Sequence, residues 1–351
     1  MENVVQSKPC AHVIHSEHPA IERSTMTETH DVLTIGRISV DIYPNDIGVD
    51  LEDVTSFGKY LGGSPSNVAV AAARHGRRSG VITRTGEDPF GHYLHRELAK
   101  FKVDDQFVSA VPVWPTPITF CAIKPPDDFP LYFYRTPTAP DLQIEADELN
   151  LAAIKATRIF WSTVTGLCQE PSRSAHLAAH EARPRDELTV GQFTVLDLDY
   201  RPMFWGSEDE ARREVAKILP HVTVAIGNDK ECAVAVGEGT PDEQADALLA
   251  AGVEIAVVKL GADGVMAATR NERVISAPIP VETVNGLGAG DSFGGAFCHG
   301  LLAGWPLQQV LDYANAAGAI VASRLSCADA MPTPAEVESL LAEHGRVVPH
   351  D

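Results

Sequence analysis

Short apolar runs bounded by turn residues recur along this chain, between longer segments whose apolar positions fall at helical spacing. The strand-like runs are V-L-T-I-G at 32–36, V-I-T-R at 81–84, T-R-I-F-W-S-T-V at 157–164, F-T-V-L-D-L at 193–198, residues 222–227 and E-I-A-V-V-K-L at 254–260. Helical patterns fit 91–101, 171–182, 208–218, 241–251, 290–303, 307–324 and 334–343, and an Ala-rich helix begins near Asn67. Strands that alternate with helices predict an α/β fold: a doubly wound, mostly parallel sheet with helices on both faces. Residues 117–135 break this rhythm. They read P-I-T-F-C-A-I-K, a turn P-P-D-D-F-P, then L-Y-F-Y-R, which is a hairpin pattern. With strand-like residues 54–61 this hairpin predicts a small second sheet, a lid built from about 38–61 and 117–135 on one domain spanning 31–345. Residues 1–30 are polar and aperiodic and are expected to be a disordered tail, with Met26 a possible alternative start. Its evenly spaced His12, His15 and His18 lack an acid or Cys beside them and read as tail residues rather than metal ligands.

Composition narrows the partners. The chain has 351 residues, 44% hydrophobic and 22% charged, the balance of an ordinary globular protein. Against 28 Lys and Arg stand 48 Asp and Glu, a net charge of −20, which argues against nucleic acid or an anionic membrane surface as a partner. An acidic chain that binds a polyphosphate must gather its few cations at one site. There is no apolar run long enough for a membrane span and no signal-peptide pattern. Six cysteines are scattered singly with no C-x-x-C, the usage expected of reduced thiols in a cytoplasmic protein.

The strongest chemical signal is V-N-G-L-G-A-G-D-S-F, starting at Val284. Gly286, Gly288 and Gly290 lead into Asp291 and an apolar helical run. Glycines let the backbone approach a ligand closely, and free N–H groups opening onto a helix form an anion site. An acid beside such a site suits proton abstraction from an attacking hydroxyl, yet Asp at that point is an equally good helix cap. The spacing matches neither the P-loop nor the dinucleotide fingerprint. In a parallel sheet ligands sit beyond the carboxyl ends of the strands. Asp197, Asp199 and Arg201, then Asn228 and Glu231, then Lys259 and Gly261 all fall there.

Two separated motifs, G-G-S-P-S-N-V-A at 62–69 and G-L-G-A-G-D-S-F at 286–293, together resemble the PfkB (ribokinase-like) carbohydrate kinases, and the resemblance extends over about residues 31–343. It implies ATP-dependent phosphorylation of a sugar hydroxyl with Mg²⁺, and a homodimer paired through the lid. By resemblance Asp291 is the base, and the backbone of Gly288, Ala289 and Gly290 forms the anion hole. Asp41, Gly62, Gly63 and Asn67 match positions that bind acceptor hydroxyls. Asn228 and Glu231 match an N-x-x-E motif that supports Mg²⁺, through water, and phosphate. Lys259, Gly261 and Gly264 match a nucleotide loop, and Asn315 the region of the adenine edge. In one place the chain departs from the family: Asn285-Gly286 stands where Asp-Thr is usual, near the triphosphate and its metal. The segments L-Y-F-Y-R at 131–135 and D-L-D-Y-R-P-x-x-W at 197–205 resemble kinases of keto sugar acids. That implies a cationic partner for a carboxylate, for which Arg135 and Arg201 are the candidates, with Arg37 a third arginine, and it makes Tyr134 a further substrate-binding candidate. Another acceptor, such as 2-keto-3-deoxygluconate or a neutral sugar, stays open. So does a non-catalytic sugar- or nucleotide-binding regulator, suggested by the altered Asn285-Gly286 pair.

Overall fold

The computed structural model describes residues 29–349. The tail histidines and Met26 lie outside the described residues. In chain order the strands are β1 (Val32–Ile35), β2 (Ser39–Pro44), β3 (Phe57–Gly62), β4 (Ser79–Gly86), β5 (Val103–Asp104), β6 (Val108–Val111), β7 (Ile118–Cys121), β8 (Leu131–Tyr134), β9 (Ile159–Thr163), β10 (Phe193–Asp197), β11 (Val224–Asn228), β12 (Ile255–Lys259), β13 (Val265–Ala268) and β14 (Arg273–Ser276). The helices are α1 (Ser64–Arg74), α2 (Pro89–Lys100), α3 (Leu151–Ala156), α4 (Ser172–Glu181), α5 (Glu208–Ile218), α6 (Asp229–Val236), α7 (Pro241–Ala250), α8 (Ala289–Ala303), α9 (Leu307–Ala322) and α10 (Pro334–Glu343).

The main sheet runs β14-β13-β12-β11-β10-β9-β1-β4-β5, with β6 also on β4. Pairing is parallel from β12 through β5 and antiparallel only at β12–β13 and β13–β14. Strands β1 and β9 are buried at every position because helices cover both faces, which is why they read as continuous apolar runs. On one face α1, α8, α9 and α10 enclose a core around Trp161, Phe293, Phe297 and Val257. On the other, α5, α6 and α7 pack on Leu196, Ala225 and Val258, and α4 on Leu33 and Phe160.

The second sheet, β3-β2-β7-β8, joins the two predicted lid segments. Strand β2 pairs antiparallel with β3 and parallel with β7, and β7–β8 is the expected hairpin. Its period-2 alternation places Asp41 opposite Thr119, and Ile42 opposite Phe120 on the other face.

Several elements differ from the sequence expectation. Helix α6, the hairpin β13–β14 and the short α3, β5 and β6 were not predicted. Helix α1 begins at Ser64 behind Gly63, with Pro65 in its first turn, so Asn67 lies inside the helix rather than at its start. Among the described residues no helix is long and apolar enough to cross a membrane.

Candidate active site

The carboxyl ends of β10, β11 and β12, the start of α8 and the inner face of the small sheet enclose one cavity of about 250 Å³. Its lining includes Arg37, Asp41, Gly63, Asn67, Asp197, Asp199, Arg201, Asn228, Glu231, Lys259, Gly288, Gly290 and Asp291. Positions scattered over most of the chain thus meet in one place.

Helix α8 forms the floor. Its cap is Gly288, in the left-handed region at φ +81, with no side-chain cap hydrogen bond. A Cβ there would also lie 2.6 Å from the Cys327 sulfur, so both backbone and packing require glycine. The first N–H groups of α8, those of Ala289 and Gly290, have no intrahelical partners and carry the positive end of the helix dipole. Asp291 is the third residue of the helix, not its cap. Its Oδ2 accepts a hydrogen bond from Asn67 Nδ2 on α1 at 2.8 Å. Burial raises the Asp291 pKa above the usual carboxylate value, and the Ser64 hydroxyl and the Asn67 amide oppose that shift. The carboxylate is therefore a better proton acceptor than a solvated one.

On the lid side, Asp41 is 6% exposed and accepts from Ser39 Oγ at 2.8 Å. Burial pushes its pKa up to about 6 against the opposing charge of Arg37. Gly63, at φ +101, packs its α-carbon against the Arg37 carbonyl, where a Cβ would overlap it. Gly62 likewise leaves room for the Asp41 carboxylate.

Opposite lies a charged rim. Asn228 and Glu231 form a capping box at the start of α6: the Asn228 side chain accepts from Glu231 N at 2.9 Å, and Glu231 Oε2 accepts from Asn228 N at 2.8 Å. Lys259 Nζ lies 3.9 Å from Glu231 Oε2 and 3.5 Å from where a Gly290 Cβ would be, so the ammonium overhangs the α8 terminus. Burial lowers the Lys259 pKa, but Glu231, Asp197, Asp199 and Asp291 outweigh it and the net shift is upward. Arg201 is held by Asp199 at 2.7 Å. Burial raises the Asp197 pKa above the usual carboxylate range, with Asp199 and Glu231 adding to the shift and Lys259 opposing it.

Not every expected residue reaches the cavity. Tyr134 is 67% exposed on the outer face of β8, against Phe120, because the strand period turns it away. Arg135 forms a buried ion pair with Asp141 at 2.8 Å and stacks on Phe204, also outside the cavity. Gly261, Gly264 and Asn315 stand to one side: Gly261 and Gly264 bracket the β12–β13 turn, and Asn315 on α9 donates to the Ala277 carbonyl at 2.7 Å. Sequence reasoning missed Ser64, Thr119, Tyr43 and Cys327, which also line the cavity. Ser64 sits inside the G-G-S-P-S-N motif and Thr119 on the face shared with Asp41, so both carried a signal; Cys327 carried none.

The unusual Asn285 is fully buried and structural. Its amide donates to the Leu325 carbonyl at 2.6 Å and its Oδ1 accepts from Leu287 N at 3.0 Å, which shapes the turn into α8. A carboxylate there would face the Leu325 carbonyl without a proton to share. Gly286 makes room for Phe129 from the lid hairpin, 3.0 Å from where its Cβ would be.

The family model for pfkB carbohydrate kinases matches residues 29–334. The chain belongs to that family. Among its relatives, the 5-dehydro-2-deoxygluconokinase of Geobacillus kaustophilus is 33% identical over 320 residues, 90% of this chain and 94% of that protein. The 5-dehydro-2-deoxygluconokinase of Clostridium perfringens is 30% identical over 328 residues, 91% and 96% of the two chains. Among solved structures, a provisionally named Ribokinase II of E. coli in complex with ATP and Mg²⁺ superposes at TM-score 0.80 with 25% identity, covering 90% of this chain and all of that one. A Vibrio cholerae fructokinase with fructose, ADP and calcium ion bound gives TM-score 0.74 at 26% identity, covering 90% and 100%. The chain is thus a carbohydrate kinase with a ribokinase-like fold and uses ATP.

Among the described residues no cluster of three His, Cys, Asp or Glu could cage a metal. Mg²⁺ does not need such a cage: it is held by one or two oxygen ligands of the protein together with nucleotide phosphates and water. The hard-oxygen pair Glu231 and Asn228 at the cavity wall fits that donor set.

Proposed function

We propose that this carbohydrate kinase transfers the γ-phosphoryl group of ATP to the C6 hydroxyl of 5-dehydro-2-deoxy-D-gluconate, as a step of inositol catabolism in the cytoplasm. The observation that carries the chemistry is Asp291: a half-buried carboxylate in the first turn of an uncapped helix, held by Asn67 and facing the same cavity as Asp41. The acceptor follows from the relatives, which share its name over nine-tenths of this chain.

The acceptor sits beneath the small sheet, with hydroxyls on Asp41, Asn67 and the backbone of Gly62 and Gly63. Asp291 takes the proton from the C6 hydroxyl as its oxygen bonds the γ-phosphorus, and the bond to the bridging β–γ oxygen breaks to release ADP. The N–H groups of Gly288, Ala289 and Gly290 and the Lys259 ammonium stabilise the charge on the phosphoryl oxygens. Bound Mg²⁺ would neutralise nucleotide phosphate charge, and Glu231 and Asn228 are the residues that would hold it, through water. Gly261, Gly264 and Asn315 would flank the nucleotide. The small sheet excludes water from the transfer and also pairs two copies through its outer face.

A panel of acceptors followed by ADP release tests this reading. The keto sugar acid is expected to be turned over with the highest kcat/KM. A panel won by 2-keto-3-deoxygluconate or a neutral sugar would replace the acceptor, and ligand binding with no ADP release would remove the kinase assignment.

A further inference from the structure

We propose that Arg37 is the residue that reads the carboxylate of the sugar-acid acceptor. This rests on the acceptor class given above.

Four other cations are candidates, and each already has a partner. Arg135 is neutralised by Asp141 outside the cavity. Arg201 is held by Asp199. Lys259 stands at the phosphoryl end beside Glu231 and Gly290. Arg173 is bound to Glu210 and the Leu167 carbonyl, away from the cavity.

Arg37 differs from all of them. It is 7% exposed and lines the cavity, yet its guanidinium makes no hydrogen bond or ion pair among the described residues, and its Nε is buried without a partner. A buried, unpaired guanidinium is costly unless a ligand supplies the missing acceptors. Asp41 is near enough to feel its charge but forms no ion pair with it.

The side chain is also preorganised. Its guanidinium lies 5.2 Å from the centre of the Phe133 ring, which restricts its rotamers. Its own carbonyl is fixed by Ser66 Oγ at 3.2 Å and by the close approach of Gly63. A planar fork held this way can bond both oxygens of a carboxylate. An acceptor in this cavity then has its reacting hydroxyl at Asp291, middle hydroxyls at Asp41 and Asn67, and its acid group at Arg37.

The test pairs two variants with two acceptors: 5-dehydro-2-deoxy-D-gluconate and its neutral C1 amide. Wild-type enzyme should prefer the acid by at least about 30-fold in kcat/KM. Arg37→Met should lower the value for the acid by a similar factor, change that for the amide by less than about threefold, and leave the KM for ATP unmoved. Arg37→Gln keeps a polar donor and decides the matter should the Met variant not fold; its acid preference should also collapse. Retention of the acid preference in the variants, or equal losses on acid and amide, would overturn the assignment while the acceptor reading stands. A wild-type enzyme that prefers neutral sugars removes both.

Discussion

Asp41 shows how one residue couples stability to binding. Its folded pKa of about 6 lies above the ordinary 3.8, so the native state holds that proton more tightly than the unfolded chain does. Stability from this group is complete below about pH 4 and is lost as pH rises through about 6. Asp41→Asn keeps an acceptor for Ser39 and removes the buried charge. It should therefore be more stable than wild type at pH 8, by on the order of 1–3 kcal/mol, and the gain should vanish near pH 4. Urea unfolding at the two pH values checks this; equal stabilities at pH 8 would contradict it. The same titration reaches the substrate. In the proposed acceptor site an ionised Asp41 accepts sugar hydroxyl protons, so acceptor KM should rise as pH falls below about 6 while the KM for ATP does not. In Asp41→Asn the acceptor KM should be high and insensitive to pH.

At the scale of elements, the proposed catalytic pair of Asn67 and Asp291 depends on how closely α1 approaches α8. Asn67 and Asp291 belong to different helices 224 positions apart, and their bond forms only because Gly295 of α8 lets the backbone of α1 rest against it. A Cβ at Gly295 would overlap that of Ala71. Gly295→Ala should therefore cost about 1–3 kcal/mol and lower kcat more than acceptor KM changes, because the two helices separate where the base is held. Urea unfolding and steady-state kinetics read both, and unchanged kcat in a destabilised variant would show that the helix contact does not position the base.

These helices also show what could be read from the chain. Helices α5 and α10 fall on the predicted residues because their apolar spacing and caps agree. The strands β1, β9, β10, β11 and β12 were legible as continuous apolar runs. Helix α6 was not, because it is short and its N-x-x-E start reads as ligand chemistry, whereas it is also a capping box. The β13–β14 hairpin was not legible because V-M-A-A holds a single β-branched residue among weak strand formers. The site divided in the same way: glycine-rich motifs announced Asp291 and Gly63, while the direction of Tyr134 and the pairing of Arg135 depended on strand register and on a distant Asp141.

For the whole molecule, the small sheet has two unlike faces. Asp41 and Thr119 line the cavity, whereas Phe57, Tyr132 and Tyr134 are exposed on the side away from it at 39%, 52% and 67%. The proposed pairing of two copies would cover these adjacent exposed aromatic residues. Sedimentation equilibrium should give about twice the 37.7 kDa of one chain, and Tyr134→Asp should shift it to the single-chain mass with the fold retained. A wild-type monomer would contradict lid pairing. The proposed reaction brings a sugar hydroxyl, a phosphoryl group and Asp291 together at the head of α8. Turnover of Asp291→Asn tests that most directly. The variant is expected to melt within a few degrees of wild type, to bind ATP and acceptor, and to lose at least about two orders of magnitude in kcat; a folded Asp291→Asn enzyme turning over at close to the wild-type rate would contradict it.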